Sequence, residues 1–133
     1  MLAQAHEDPP VRMTPADHQQ LSALSQAADT LGAAMLSQEV DRAIVIGPNE
    51  PPQGFVRLHS HVQYMDLLSG RTRTLQVVLP DEADIDRRRV SVLSPVGAAL
   101  IGLAAGDSYS WRGEDGRTHV LLVVDVGGAH EQA

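Results

Sequence analysis

The chain has 133 residues, of which 43% are hydrophobic, and this is enough for one modest domain with its own core. Its net charge is −7, from 17 aspartates and glutamates against ten arginines and no lysine, so we expect no direct contact with nucleic acid, because neutralising phosphates takes a basic surface. The absence of cysteine excludes disulfides and thiolate metal sites, and no apolar run approaches the ~20 residues of a membrane span, so we expect a cytoplasmic protein without a secretion signal.

The first 46 residues predict a tail and a helical hairpin. Residues 1–13 are polar and show no period, so we expect a disordered tail. Thr14-Pro15 is typical of a helix start, with Thr as the N-cap and Pro at the first helical position. Apolar residues then recur at intervals of three and four through residue 44. Because Asp29-Thr30 offers a second N-cap and Gly32 weakens a continuous helix, the pattern favours a short antiparallel hairpin (a coiled coil) over 14–46.

The remainder of the chain predicts a linker and a sheet domain. Residues 47–54 hold three prolines and two glycines, which is typical of a linker. From 55 to 127 apolar and polar residues alternate, and we expect an antiparallel five-stranded sheet with one short helix, which makes the fold α+β. The strands are expected at 55–66, 72–79, 90–93, 108–112 and 118–126, followed by a tail at 128–133.

Residues 90–102 are the most informative stretch. Val90 and Val92 alternate with polar Ser91, which indicates a strand, and Leu93 has the opposite parity and is expected to be exposed. Ser94 is a good N-cap, and Pro95 suits the first helical position. A glycine at 102 can adopt the left-handed conformation that ends a short helix. The stretch therefore predicts a strand, a capped helix and a return strand.

A family resemblance rests on this stretch. Ser-Pro-x-Gly-x-Ala-Leu-x-Gly at 94–102, followed by Gly106-Asp107, resembles the signature of the C-terminal domain of Gre-type (GreA/GreB) transcript-cleavage factors. The acidic turn at 81–85 resembles the turn before the same strand in that family, and the short chain looks more like the regulator of nucleoside diphosphate kinase (Rnk) branch. The resemblance covers roughly residues 56–126 and implies an FKBP-like domain. It also implies docking on the rim of the secondary channel of RNA polymerase, through Ser91, Leu93, Ser94, Pro95 and Gly97.

The same resemblance raises the question of catalysis. In the Gre-type cleavage factors that this chain resembles, an acidic pair at the tip of a long coiled coil holds a catalytic magnesium ion. Here the expected tip has Asp29 alone, itself a candidate N-cap, and the arms are shorter. We therefore expect a non-catalytic, monomeric regulator without cofactor, metal or catalytic residue, which competes with Gre-type factors. Transcript cleavage, peptidyl-prolyl isomerase activity and self-association through the hairpin's apolar stripes stay open as alternatives.

The other polar and aromatic clusters have simpler structural interpretations. His59 and His61 have a spacing that suits a metal, with His119 as a third candidate, but no carboxylate joins them, and we expect solvated histidines. The acids of residues 81–86 lack calcium-loop spacing and precede three arginines, so we expect a structural loop. An isomerase would need an aromatic pocket for proline. The aromatic residues available for one are Phe55, Tyr64, Tyr109 and Trp111.

Overall fold

Seven β-strands and three α-helices follow one another in residues 9–127, the part of the chain that the computed structural model of the protein describes. Two 3-10 turns, Pro80–Glu82 and Ile85–Arg87, lie in the loop before the fifth strand. No helix in this part of the chain is long and apolar enough to cross a membrane. The elements are β1 (Arg12–Met13), α1 (Pro15–Gln26), α2 (Leu31–Arg42), β2 (Ile44–Val45), β3 (His61–Asp66), β4 (Arg71–Val78), β5 (Arg89–Ser91), α3 (Pro95–Leu100), β6 (Ser108–Arg112) and β7 (Thr118–Gly127).

Both hairpin helices begin at a threonine cap. Thr14 Oγ1 accepts a hydrogen bond from the Asp17 N–H at 3.1 Å, and Thr30 Oγ1 accepts one from the Ala33 N–H at 3.1 Å. Each bond satisfies a backbone donor that has no partner within its helix. The predicted pair of helices and the cap at Thr14 are confirmed, whereas the interpretation of Asp29 as the second cap is wrong.

The hairpin lies against the sheet and α3 and does not stand out as a separate coiled coil. Leu21, Leu36 and Val40, three members of its apolar stripes, are at most 5% exposed. They belong to one hydrophobic cluster together with Val62 of β3 and Leu100 of α3. The helical hairpin and the sheet therefore share one hydrophobic core. These members of the stripes, on which the self-association alternative depends, are already covered within the chain, whereas Ile44 is 45% exposed.

A buried polar contact joins the hairpin to the sheet. Glu39 of α2 is 2% exposed, and its carboxylate accepts a hydrogen bond from the Tyr109 hydroxyl of β6 at 2.8 Å. The other carboxylate oxygen accepts two hydrogen bonds from the Arg42 guanidinium, at 2.8 and 3.0 Å. A buried carboxylate is tolerated only when its oxygens are satisfied in this way. The network therefore fixes α2 in one position on the sheet.

The segment before α1 is part of the fold. Val11 and Met13 are buried, and β1 pairs in parallel with β2, where the Ile44 N–H donates to the Val11 carbonyl at 2.7 Å. The Arg12 N–H donates to the carbonyl of Gly102 at 3.1 Å. The prediction of a disordered tail over 1–13 is therefore wrong for its last residues. Residues 1–8 and the predicted tail at 128–133 lie outside the described residues.

The five predicted strands of the main sheet are confirmed, but the sheet is mixed. Its strand order is β5-β4-β3-β7-β6, and the pairs β4-β3, β3-β7 and β7-β6 are antiparallel. β5 pairs with β4 in parallel, so the prediction of an antiparallel sheet is wrong at this edge. The cause is the acidic loop, which is tied back on itself by paired backbone hydrogen bonds between Asp84 and Arg89, at 2.9 and 3.0 Å. The chain thus returns alongside β4 before β5 begins.

The first of these strands is shorter than predicted. β3 begins at His61, because His59 has a φ of +74° and the Ser60 N–H donates to the Arg57 carbonyl at 3.0 Å, which forms a turn. A positive φ is incompatible with an extended strand. The predicted burial is nevertheless found, since Val56, Leu58, Val62 and Tyr64, which the alternation places on one face, are buried. Alternation predicted burial here but not the backbone conformation.

Candidate functional site at the strand–helix corner

Residues 91–97, which we call the corner, join the end of β5 to the start of α3. Ser94 caps the helix, because its Oγ accepts a hydrogen bond from the Gly97 N–H at 3.1 Å, and its hydroxyl donates to the Ser91 carbonyl at 2.7 Å. One side chain thus ties the end of the strand to the first turn of the helix. The predicted cap at Ser94 and first-position proline at Pro95 are confirmed.

The predicted contact residues of the corner differ in exposure. Ser91, Leu93, Ser94 and Pro95 are half-buried, whereas Gly97 is buried. A Cβ added at Gly97 would overlap the Ser91 carbonyl oxygen, so glycine is what lets the helix pack on the end of the strand. Gly97 is therefore a packing residue in this structure, and its assignment to a contact surface stays a prediction. Leu93 packs against the core, so it is less exposed than its parity suggested.

The tip of the hairpin lies against the corner. Gly32, in the first turn of α2, packs so closely that a Cβ there would overlap the Leu93 carbonyl oxygen. Asp29 and Thr30 line a hollow of about 420 Å³ together with Ser94 and other corner residues. The structure therefore brings the predicted tip residue Asp29, which is exposed, beside the predicted docking residues. This proximity was not predicted from the sequence.

An apolar groove of about 480 Å³ runs beside the corner. Pro95 and Val96 of the corner, Trp111 of β6 and Leu31 of α2 contribute its walls. Acidic side chains of the β6–β7 turn lie at its edge: Glu114 and Asp115. Sequence reasoning missed Trp111 as part of this site, although the only tryptophan of the chain on a half-buried strand is a usable signal.

His59 and His119, two of the three histidines considered for a metal, lie against different carboxylates, and Nε2 of the third, His61, is buried. His59 Nε2 lies 2.8 Å from the Glu82 carboxylate, and His119 Nε2 lies 3.1 Å from both oxygens of Asp115. His119 also stacks on Trp111, with ring centroids 5.2 Å apart. Within residues 9–127 no three His, Cys, Asp or Glu side chains are placed to hold a metal ion.

These contacts perturb two exposed carboxylates. The hydrogen bond from His59, followed by one from the Leu79 N–H, lowers the pKa of Glu82. The hydrogen bond from the Arg117 N–H, followed by that from His119, lowers the pKa of Asp115. In both cases a donor stabilises the charged form of the carboxylate. The acidic loop is accordingly engaged in internal contacts, which agrees with its interpretation as structural.

The aromatic residues do not form one proline pocket. Phe55 and Tyr109 are buried in the core, and Tyr109 is committed to Glu39. Tyr64 and Trp111 both line the apolar groove, where Tyr64 is buried and Trp111 is half-buried.

Comparisons with known proteins agree with this geometry. A family described as "Transcription elongation factor, GreA/GreB, C-term" matches residues 51–127, which include the linker end, the sheet and the corner. The "Regulator of nucleoside diphosphate kinase" of Escherichia coli K12 is 36% identical over 94 residues, which cover 71% of this chain and 69% of that protein. The "Transcription elongation factor GreA" of Acidiphilium cryptum is 36% identical over 95 residues, which cover 71% of this chain and 60% of that protein.

The same fold occurs in a solved structure. The "Prokaryotic transcription elongation factor GreA/GreB from Nitrosomonas europaea" superposes with a TM-score of 0.70 and 30% sequence identity. The superposition covers 91% of this chain and 100% of the other, so it includes the helices as well as the sheet.

Proposed function

Because the chain belongs to the GreA/GreB family of transcription elongation factor C-terminal domains, we propose that it is a non-catalytic transcription regulator that binds RNA polymerase through the corner. The binding surface is the rim of the secondary channel, where the protein competes with Gre-type factors by occupancy. The protein acts as a monomer in the cytoplasm, where the polymerase is found. The preformed shape of the corner carries this proposal.

A preformed surface binds at low cost. The hydrogen bonds of Ser94 to both sides of the turn hold the corner in the shape that it presents to a partner. The contact of Gly32 with Leu93 supports it from behind. A surface that needs no ordering keeps more of its contact energy as affinity.

The groove beside the corner supplies anchor residues. Pro95, Val96 and Trp111 are half-buried apolar side chains next to one another along its wall. Strong contributions to binding come from few residues, among which tryptophan is enriched. The carboxylates of Glu114 and Asp115 at the edge favour a partner surface with basic residues around an apolar centre.

The position of the hairpin supports occupancy over catalysis. α1 and α2 have 12 residues each, so each is ~18 Å long. Their tip lies on the corner and contributes Asp29 as its acidic residue. A magnesium ion used for cleavage needs carboxylates that reach the reacting phosphate. A tip held against its own domain favours Asp29 as part of the docking surface instead.

The test is competition with a Gre-type cleavage factor for core RNA polymerase. Pro95→Ala should weaken competition at least ~thirtyfold if Pro95 is a central anchor, because such truncations cost ~2 kcal/mol of binding. Pro52→Ala is the matched control, since Pro52 is exposed in the linker, and it should compete like the wild type. Leu93→Asp is a poorer probe, because half-buried Leu93 affects stability as well.

Stability is measured alongside binding. The first position of a helix tolerates many residues, so Pro95→Ala should remain folded. A folded Pro95→Ala protein that competes like the wild type would move the interface away from the corner. Acceleration of transcript shortening in backtracked complexes by the wild-type protein would contradict a non-catalytic role.

A further inference from the structure

A second groove, of about 500 Å³, lies between β4 and the loop that precedes β5. Arg71 and Arg73 of β4 and Arg88 of the loop line it, and none of its lining residues is acidic. The chain as a whole carries a net charge of −7, so three of its ten basic residues are concentrated at this one place. We call it the arginine groove.

The positive charge of the arginine groove is not neutralised within the described residues. No carboxylate there lies within 4.0 Å of the guanidinium groups of Arg71, Arg73 or Arg88. Two acids near these arginines along the chain, Asp66 and Asp84, accept hydrogen bonds from backbone N–H groups. Asp66 accepts a hydrogen bond from the Leu68 N–H at 2.9 Å, and Asp84 accepts one from the Asp86 N–H at 3.1 Å.

The floor and one wall of the groove are apolar. Tyr64 lies opposite Arg73 in the register of β3 and β4, so both side chains are on the same face of the sheet. Burial raises the pKa of Tyr64 while the charge of Arg73 acts to lower it, which agrees with their proximity. Ile85, at 88% exposed, lines the groove from the loop.

We propose that the arginine groove binds a small phosphate-bearing molecule of nucleotide size, with its phosphates between Arg71, Arg73 and Arg88 and its apolar part against Ile85. Guanidinium groups bind phosphate oxygens in a bidentate manner, and they are less strongly hydrated than ammonium groups. The volume of the groove lies in the range of small-molecule sites.

Larger polyanions fit the molecule less well. A nucleic acid follows an extended basic stripe, whereas the rest of this chain is acidic. An acidic peptide would extend beyond the groove along a chain that is otherwise net acidic. The inference goes beyond polymerase binding and does not rest on it, because none of residues 91–97 lines the arginine groove.

The test uses isothermal titration calorimetry of the full chain at low ionic strength, with ADP and inorganic pyrophosphate as probes. We expect both to bind, and Arg71→Gln/Arg73→Gln to lower their affinity by about tenfold or more. Arg12→Gln/Arg112→Gln removes the same charge at exposed positions that do not line the groove, and should change affinity by less than about twofold. Ile85→Ser should weaken ADP but not pyrophosphate.

Each alternative result has a defined meaning. No binding of either probe by the folded wild type would overturn the proposal, as would an equal loss of affinity in the control pair. If an acidic peptide or a short single-stranded oligonucleotide binds more tightly than ADP, the groove binds a macromolecule, and the proposal of a small ligand is overturned. Far-UV circular dichroism checks that each variant is folded. We expect the Arg71→Gln/Arg73→Gln protein to be folded, because both side chains are exposed.

Discussion

Replacing Gly32 with alanine tests whether the hairpin lies on the corner. Gly32 is buried in the first turn of α2, and an added Cβ would overlap the Leu93 carbonyl oxygen. It would also lie 2.7 Å from the Leu93 carbonyl carbon and 2.9 Å from that of Ser94. All three atoms belong to the backbone, so no side chain can rotate away. The methyl group has to push α2 off the corner.

Two opposing terms set the magnitude. Helix propensity alone favours alanine over glycine by ~1 kcal/mol. Overpacking of a close contact costs ~1–3 kcal/mol, and a clash with backbone belongs at the upper end. We therefore expect Gly32→Ala to lower the free energy of unfolding by about 2 kcal/mol, whereas the sequence by itself predicts an increase.

Urea denaturation followed by far-UV circular dichroism measures this difference. Ala34→Gly is the matched control, because Ala34 is exposed on the same helix and should lose ~1 kcal/mol from propensity alone. A Gly32→Ala protein that is more stable than the wild type would refute the reasoning and separate the hairpin from the corner.

Two further predictions concern side-chain contacts. Tyr109→Phe removes the hydroxyl that donates to the buried Glu39 carboxylate, so the free energy of unfolding in urea should fall by ~1.5–3 kcal/mol; an unchanged value would mean that this contact contributes nothing. His59→Ala removes the main cause of the lowered Glu82 pKa, so that pKa, followed by NMR, should rise toward its ordinary value. A carboxylate whose pKa is lower in the folded than in the unfolded protein stabilises the fold at pH values above its unfolded pKa, and this stabilisation is lost as the pH falls through its folded pKa. The variant should therefore lose less stability than the wild type between about pH 5 and pH 3. An identical dependence of stability on pH in the two proteins would contradict the contact.

The sequence predicted much of the corner because its structure depends on neighbours in the chain. Ser94 finds its hydrogen-bond partners within three residues on either side, and Pro95 supplies the φ of the first helical position by itself. Gly102 ends the helix with a φ of +84°, as its lack of a Cβ allows. The use of these residues as a contact surface stays a prediction.

The groove beside the corner could not be predicted in the same way. Its walls come from the hairpin, the corner and β6, and only packing places Leu31, Val96 and Trp111 side by side. The arginine groove likewise needs Arg88, which lies in a loop, to return beside Arg73 of β4. The run of arginines at 87–89 does not by itself indicate whether a side chain faces open solvent or a groove.

The sequence by itself determined the helix starts at Thr14 and Ser94, the number of strands in the main sheet and the burial of the alternating apolar residues in and before β3. These features depend on caps and on periodicity over a few residues, which local hydrogen bonds and side-chain alternation decide. Only the tertiary structure decided that β5 runs parallel to β4, that Val11 and Met13 are buried, and that Gly32 lies on Leu93. Each of these depends on partners that are far apart along the chain, and their pairing is set by the packing of the whole core.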